Sequence, residues 1–106
     1  MRRVTLYQIA YSRAGDKGDT SNVSVIPFKE EHYDLLRKKL TPERVKQHFG
    51  DLVKGDVLRY ELPGIKALNF VMERALGGGV SRSLNLDAHG KSWASLMLAL
   101  EMDIDD

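Results

Sequence analysis

The sequence contains no cysteine among its 106 residues. This excludes disulfides, thiolate metal sites and a cysteine nucleophile. It also fits a reducing compartment, so a cytoplasmic location is expected. Only three prolines interrupt the chain, so glycines and polar clusters must mark most of its boundaries. No apolar run approaches the roughly 20 residues needed to span a membrane. Arg2 and Arg3 are not followed by the apolar stretch of a secretory signal. No membrane partner is therefore expected. An excess of one charge is lacking too: 16 Lys and Arg offset 15 Asp and Glu, for a net +1. A broad electrostatic surface for nucleic acid is not expected from that balance.

What is present is ordinary globular material, 42% hydrophobic and 29% charged. A single domain over residues 1–106 is expected, and a chain of this size buries roughly two-thirds of its unfolded surface. Val4 to Tyr11 is predicted as one strand and Val23 to Phe28 as a second, with Pro27 at an edge or strand end. Glu30 to Leu40 is predicted as a helix. A second helix starts with Thr41 as N-cap and Pro42 at its first position, and ends at Gly50. Asp56 to Leu62 alternates as a strand, with Leu58, Tyr60 and Leu62 on one face and Arg59 and Glu61 on the other. Ile65, Leu68, Met72, Ala75 and Leu76 follow helical spacing, so Ile65 to Leu76 is predicted as a helix carrying Asn69 in its apolar stripe. Ser83 to Leu86 is predicted as a short fourth strand. A last helix, capped by Ser92, carries Trp93, Leu96, Met97 and Leu100, and Met102 to Asp106 reads as a fraying acidic tail. An antiparallel pair followed by helices predicts an α+β fold, one sheet covered by helices.

Two polar stretches hold the candidate chemistry. The first runs from Ser12 through Arg13, Ala14, Gly15, Asp16, Lys17, Gly18, Asp19, Thr20 and Ser21 to Asn22. Gly15 and Gly18 permit positive φ, which lets backbone N–H groups turn toward one point, and Arg13 and Lys17 add positive charge. A ligand-cradling loop fits this composition; so does a long hairpin loop that satisfies its own backbone. The second stretch comprises Gly77, Gly78, Gly79, Ser81 and Ser83, then Asp87, His89 and Lys91. The three glycines suit either a phosphate contact or a helix C-cap; the carbonyls exposed after a helix favour the cap.

Several mechanisms are disfavoured. Lys17 precedes Gly18, so the first stretch is not a phosphate-binding P-loop. Asp16, Asp19 and Asn22 lack the two-residue alternation and distal Glu of a calcium loop. His32, His48 and His89 have no metal-ligand spacing, and no metal is expected; His32 and His48 read as solvated. His89, between Asp87 and Lys91, suits a turn residue or a proton carrier. Ser12, Ser21 or Ser81 would need an adjacent base to act as a nucleophile, and the sequence identifies none. Trp93 and the methionines read as core or interface.

In combination, Gly15-Asp16-Lys17-Gly18-Asp19 with Asn22, Arg59-Tyr60-Glu61-Leu62-Pro63, Ala67-Leu68-Asn69-Phe70-Val71, Ala75-Leu76-Gly77-Gly78-Gly79-Val80, and Asp87 with Gly90-Lys91 carry a resemblance over about residues 6 to 101. The chain resembles the C-terminal domain of the acyclic terpene utilisation protein A (AtuA-like) family. The resemblance implies a ferredoxin-like, two-layer sandwich. It also implies work beside a much larger region, which in that family precedes the domain. Three functions follow as expectations: an accessory or binding domain in acyclic terpene or acyl-CoA catabolism; a small independent enzyme on a CoA thioester or related acid, using Lys17, Asp19, His89 and Lys91; or a structural oligomerisation module. No bound cofactor is expected, with a CoA thioester as the conceivable ligand. The expected partner is a second copy or a larger AtuA-like subunit.

Three structural expectations accompany these. Asn69 should be mostly buried and bonded to the backbone of a polar loop. Tyr7, Tyr11, Phe70 and Trp93 should be exposed interface residues. The stretches Ser12–Asn22 and Gly77–Lys91 should converge on one side of the sheet.

Overall fold

The structure, a computed structural model, describes residues 2–17, 20–74 and 93–104. The first strand, β1 (Arg2–Thr5), ends early. Gln8 Oε1 accepts the Thr5 backbone N–H at 2.9 Å, and the Leu6 N–H donates to the Leu100 carbonyl at 2.9 Å. The chain is thereby drawn into one helical turn, α1 (Leu6–Ile9), before β2 (Ala10–Lys17) begins in a different sheet. The predicted strand from Val4 to Tyr11 is thus two strands with a helical turn between them.

β2 pairs antiparallel with β3 (Thr20–Pro27) from Ala10↔Pro27 to Lys17↔Thr20. The stretch from Ser12 to Asn22 is therefore not a long loop. It is mostly ladder, in which cross-strand bonds satisfy the backbone. Gly18 and Asp19 lie outside the described residues. Two helices follow, α2 (His32–Lys39) and α3 (Pro42–Phe49). The start of α3 is as predicted: Thr41 Oγ1 accepts the Arg44 N–H at 3.1 Å, with Pro42 in the first turn. Gly50, at φ 57°, ends it.

β4 (Val57–Leu62) and β5 (Ala67–Met72) complete a four-stranded antiparallel sheet in the order β2-β3-β5-β4. β5 overturns the predicted helix from Ile65 to Leu76. Leu68, Phe70 and Met72 recur every second residue, and all three are fully buried. The helical spacing of the same apolar residues was a coincidence of a short run, in which the two periods are hard to separate.

The last described elements are α4 (Trp93–Leu98) and β6 (Glu101–Ile104). β6 pairs antiparallel with β1 in a second, two-stranded sheet, from Arg2↔Ile104 to Thr5↔Glu101. The acidic end is therefore a strand, not a frayed tail. Met102 and Ile104 enter the core, while Arg3 meets Glu101 at 3.5 Å and Asp103 at 3.2 Å on the exposed side. The fold is α+β, and the described residues form two antiparallel sheets where one was expected. A shared hydrophobic cluster joins them, from Val4 and Leu6 through Phe70 to Leu100 and Ile104. The predicted strand over Ser83–Leu86, the Gly77–Gly79 helix stop and the Ser92 cap lie outside the described residues.

Because β6 seals this cluster, Ile104→Ala should destabilise the protein by about 2–5 kcal/mol, the usual cost of deleting that much buried side chain. Equilibrium denaturation of the wild type and variant measures it, and an exposed tail would show almost no change.

Candidate functional site

The four-stranded sheet has two unlike faces. On the inner face Val23, Val25, Leu68, Phe70 and Met72 are fully buried. Strand alternation sends their neighbours to the other side. Register sets those neighbours in rows. One row reads Arg13, Ser24, Asn69, Tyr60 across β2, β3, β5 and β4; the next reads Gly15, Asn22, Val71, Leu58. Tyr11 lies opposite Ile26 in a third row and stacks on Phe28 at 5.8 Å between centroids. Arg13, Asn22, Tyr11 and Phe28 are exposed, as are Leu58, Tyr60 and Leu62 of β4.

Arg13, Gly15, Asn22 and Asn69, four of the candidate binding residues, thus share this outer face. Gly15 and Asn22 are direct partners, and the Asn22 amide lies over the glycine: a Cβ built on Gly15 would stand 3.4 Å from Asn22 Nδ2. Ser12 is on the opposite face of the same strand, and its Oγ is buried without a hydrogen-bond partner among the described residues. Ser21 Oγ is likewise buried and unpartnered among them. Asp16 sits opposite Ser21, and Lys17 opposite Thr20, in the ladder. Gly18, Asp19, Gly77, Gly78, Gly79, Ser81, Asp87, His89 and Lys91 lie outside the described residues, as does any meeting of the two polar stretches.

Asn69 is half-buried on a strand, and its Nδ2 donates to Ser24 Oγ at 2.9 Å. The bond therefore runs to a side chain of the neighbouring strand and not, as expected, to a loop backbone. Ser24, which composition did not single out, is the other half of this polar pair; only strand register reveals it. Phe70 and Trp93 are buried, at 0% and 6% exposure, so they leave the list of surface candidates, while Tyr7 and Tyr11 stay on it. Trp93 instead packs against Phe49 at 5.3 Å. His48 is not simply solvated: its Nε2 is 2.8 Å from the Leu96 carbonyl, linking α3 to α4.

On the inner side, Arg59 is the residue that charge patterning alone would have misplaced. Alternation turns it toward α2, where Nη1 donates to the Arg37 carbonyl at 2.7 Å and the Leu40 carbonyl at 3.0 Å. These are carbonyls that a helix C-terminus leaves without intrahelical partners. A cavity of about 280 Å³ lies between α3 and β4, lined by Pro42, Glu43, Lys46, Asp56, Val57 and Leu58. Lys46 Nζ is already engaged there by the Val53 and Gly55 carbonyls. The described residues form no cluster of three or more metal-ligating side chains, and none of their helices is long and apolar enough to cross a membrane.

An antiparallel α+β domain with one sheet face exposed is thus the class of protein in hand. The chain belongs to the AtuA ferredoxin-like domain family, whose model matches residues 4–103. No curated protein and no solved structure matches it.

The Ser24–Asn69 pair gives a direct test of the register. In a double-mutant cycle, Ser24→Ala and Asn69→Ala should be coupled by about 0.5–1 kcal/mol, the net worth of a half-exposed hydrogen bond. Strict additivity in chemical denaturation would show that the two side chains do not meet.

Proposed function

We propose that the chain is an accessory, ligand- or partner-binding domain of an AtuA-like system in acyclic terpene or acyl-CoA catabolism, working with a larger subunit. The pathway and the larger partner come from family membership, which rests on the match over residues 4–103. One geometric observation supports binding in preference to enclosure: Arg13, Gly15 and Asn22 stand together on a broad sheet face. Small-molecule sites are typically concave clefts that bury most of their ligand. A sheet face with a cation, an amide and a glycine suits docking against another surface. In this reading Arg13 and Lys17 supply charge to an acidic surface or to the anionic part of a thioester ligand, Asn22 supplies donors, and Lys91 adds a third cation. The two-layer, ferredoxin-like arrangement belongs to the same reading and is supported by the family's description and by the one-sided burial of the four-stranded sheet.

Co-expression with an AtuA-like large subunit, followed by affinity purification, tests the proposal. The two chains should purify together, and Lys17→Met should reduce that association while leaving the melting temperature within about 2 °C. Purified chain that turns over a CoA thioester on its own, without binding the subunit, would replace this reading with that of an independent enzyme.

A further inference from the structure

β4 presents its polarity the wrong way round for a strand that serves only its own core. Leu58, Tyr60 and Leu62 point outward, at 40%, 51% and 36% exposure, while charged Arg59 and Glu61 occupy the inner face. β4 is also an edge: it pairs with β5, and no described strand pairs with its other side. An exposed edge is a ready template for another strand, and proteins commonly blunt it with lysine, proline, a bulge or inward-pointing charge. No lysine, proline or bulge interrupts Val57–Leu62, and the inward charges it carries, Arg59 and Glu61, are of opposite sign and complement each other across a twofold.

We propose that β4 pairs with β4 of a second copy, antiparallel about a twofold axis through Tyr60, joining the two four-stranded sheets into one of eight. The order Leu58-Arg59-Tyr60-Glu61-Leu62 selects the register. A twofold normal to the sheet keeps each residue on its own face, so directly opposed residues must share parity and the axis must pass through a residue. Centred on Arg59, the pairing opposes two arginines; centred on Glu61, it opposes two glutamates. Centred on Tyr60, it places Arg59 opposite Glu61 twice, Leu58 opposite Leu62 twice, and Tyr60 against itself. Opposite charges, apolar pairs and aromatic pairs are the cross-strand neighbours that stabilise a ladder, and like charges oppose it.

The local geometry leaves the needed groups available. Glu61 Oε2 is 3.6 Å from Arg59 Nη2, and Oε1 is 3.9 Å from Arg37 Nη1. Both are ion-pair distances too long for a hydrogen bond, so the carboxylate retains accepting capacity for the second copy's arginine. Arg59 is held in place by Nη1 on the α2 carbonyls, which leaves Nη2 facing along the strand. The other edge offers no such match. In β2, a twofold through Arg13, Ala14 or Gly15 opposes, respectively, two arginines, Arg13 to Gly15, or Ala14 to Asp16. The proposal stands on β4 alone and leaves the Arg13–Asn22 half of the outer face free, so it does not depend on a larger subunit.

The test uses the purified full chain and no other protein. Light scattering should give twice the 12.0 kDa chain mass. Glu61→Arg, a change at an exposed site, should weaken association by about tenfold or more, because two attractive cross-strand pairs become repulsive, while circular dichroism stays unchanged. The absence of native cysteine makes cross-linking a register ruler. Tyr60→Cys should form an intermolecular disulfide under mild oxidation. Leu58→Cys alone should not, and Leu58→Cys with Leu62→Cys should. A wild-type mass of one chain at all concentrations, a dimer untouched by Glu61→Arg, or Leu58→Cys cross-linking as readily as Tyr60→Cys would overturn the proposal.

Discussion

The parity of β5 governs the four-stranded sheet. This strand lies between β3 and β4 and is paired to both, so its alternation fixes theirs. Leu68, Phe70 and Met72 face inward and are fully buried. A slip of one residue would send Asn69 and Val71 inward and expose all three. The same alternation assigns the outer face. Arg13, Ser24, Asn69 and Tyr60 form a row only because Phe70 and its neighbours cannot turn away from the core. The exposed surface is in this sense the complement of the packing beneath it.

Among the described residues, polar side chains tie the helices to the sheet, to a connecting segment and to one another. Arg59 reaches the carbonyls closing α2, Lys46 reaches those of Val53 and Gly55, and His48 meets the Leu96 carbonyl of α4. Each side chain meets a backbone oxygen; that of Leu96 also accepts the Ala99 N–H at 3.2 Å. A cation on the covered side of β4 therefore serves a structural need, since the carbonyls that close α2 lack intrahelical donors. The polarity of β4 follows: beyond Val57, which packs against the core, its inner positions are occupied by Arg59 and Glu61, and Leu58, Tyr60 and Leu62 are left facing outward.

Local signals with a single physical meaning were legible in the sequence. Thr41-Pro42 began α3 and Gly50 ended it, because side-chain capping and positive φ are short-range demands. The alternation of β4 was equally plain. Its direction was not, since nothing within the strand says which side the helices cover. Ile65 to Leu76 failed for a different reason: over so few residues the apolar positions satisfied both periods. Asn69 was the available clue, being costly in an apolar helical stripe but natural on the outer face of a strand. The Gly-, Asp- and Ser-rich composition of Ser12–Asn22 suggested a loop, but pairing extends to Lys17 and Thr20 because β3 supplies a ladder that composition cannot show. The strand at Glu101–Ile104 depends on β1, almost a full chain length away; alternating acidic and apolar residues opposite Arg3 were its only trace. Of the candidate site, the sequence identified Arg13, Gly15 and Asn22 but not Ser24, whose role exists only through register.

The pairing of β1 with β6 places Arg2 directly beside Ile104. Residues that nearly bracket the chain are therefore neighbours in space, about 5 Å apart as opposed strand partners are. Linking Arg2 to Ile104 and opening the chain elsewhere would add little closure entropy, since a short bridge spans the gap. Order along the chain is thus loosely coupled to order in space at this end of the molecule, and the same fold is compatible with several gene arrangements.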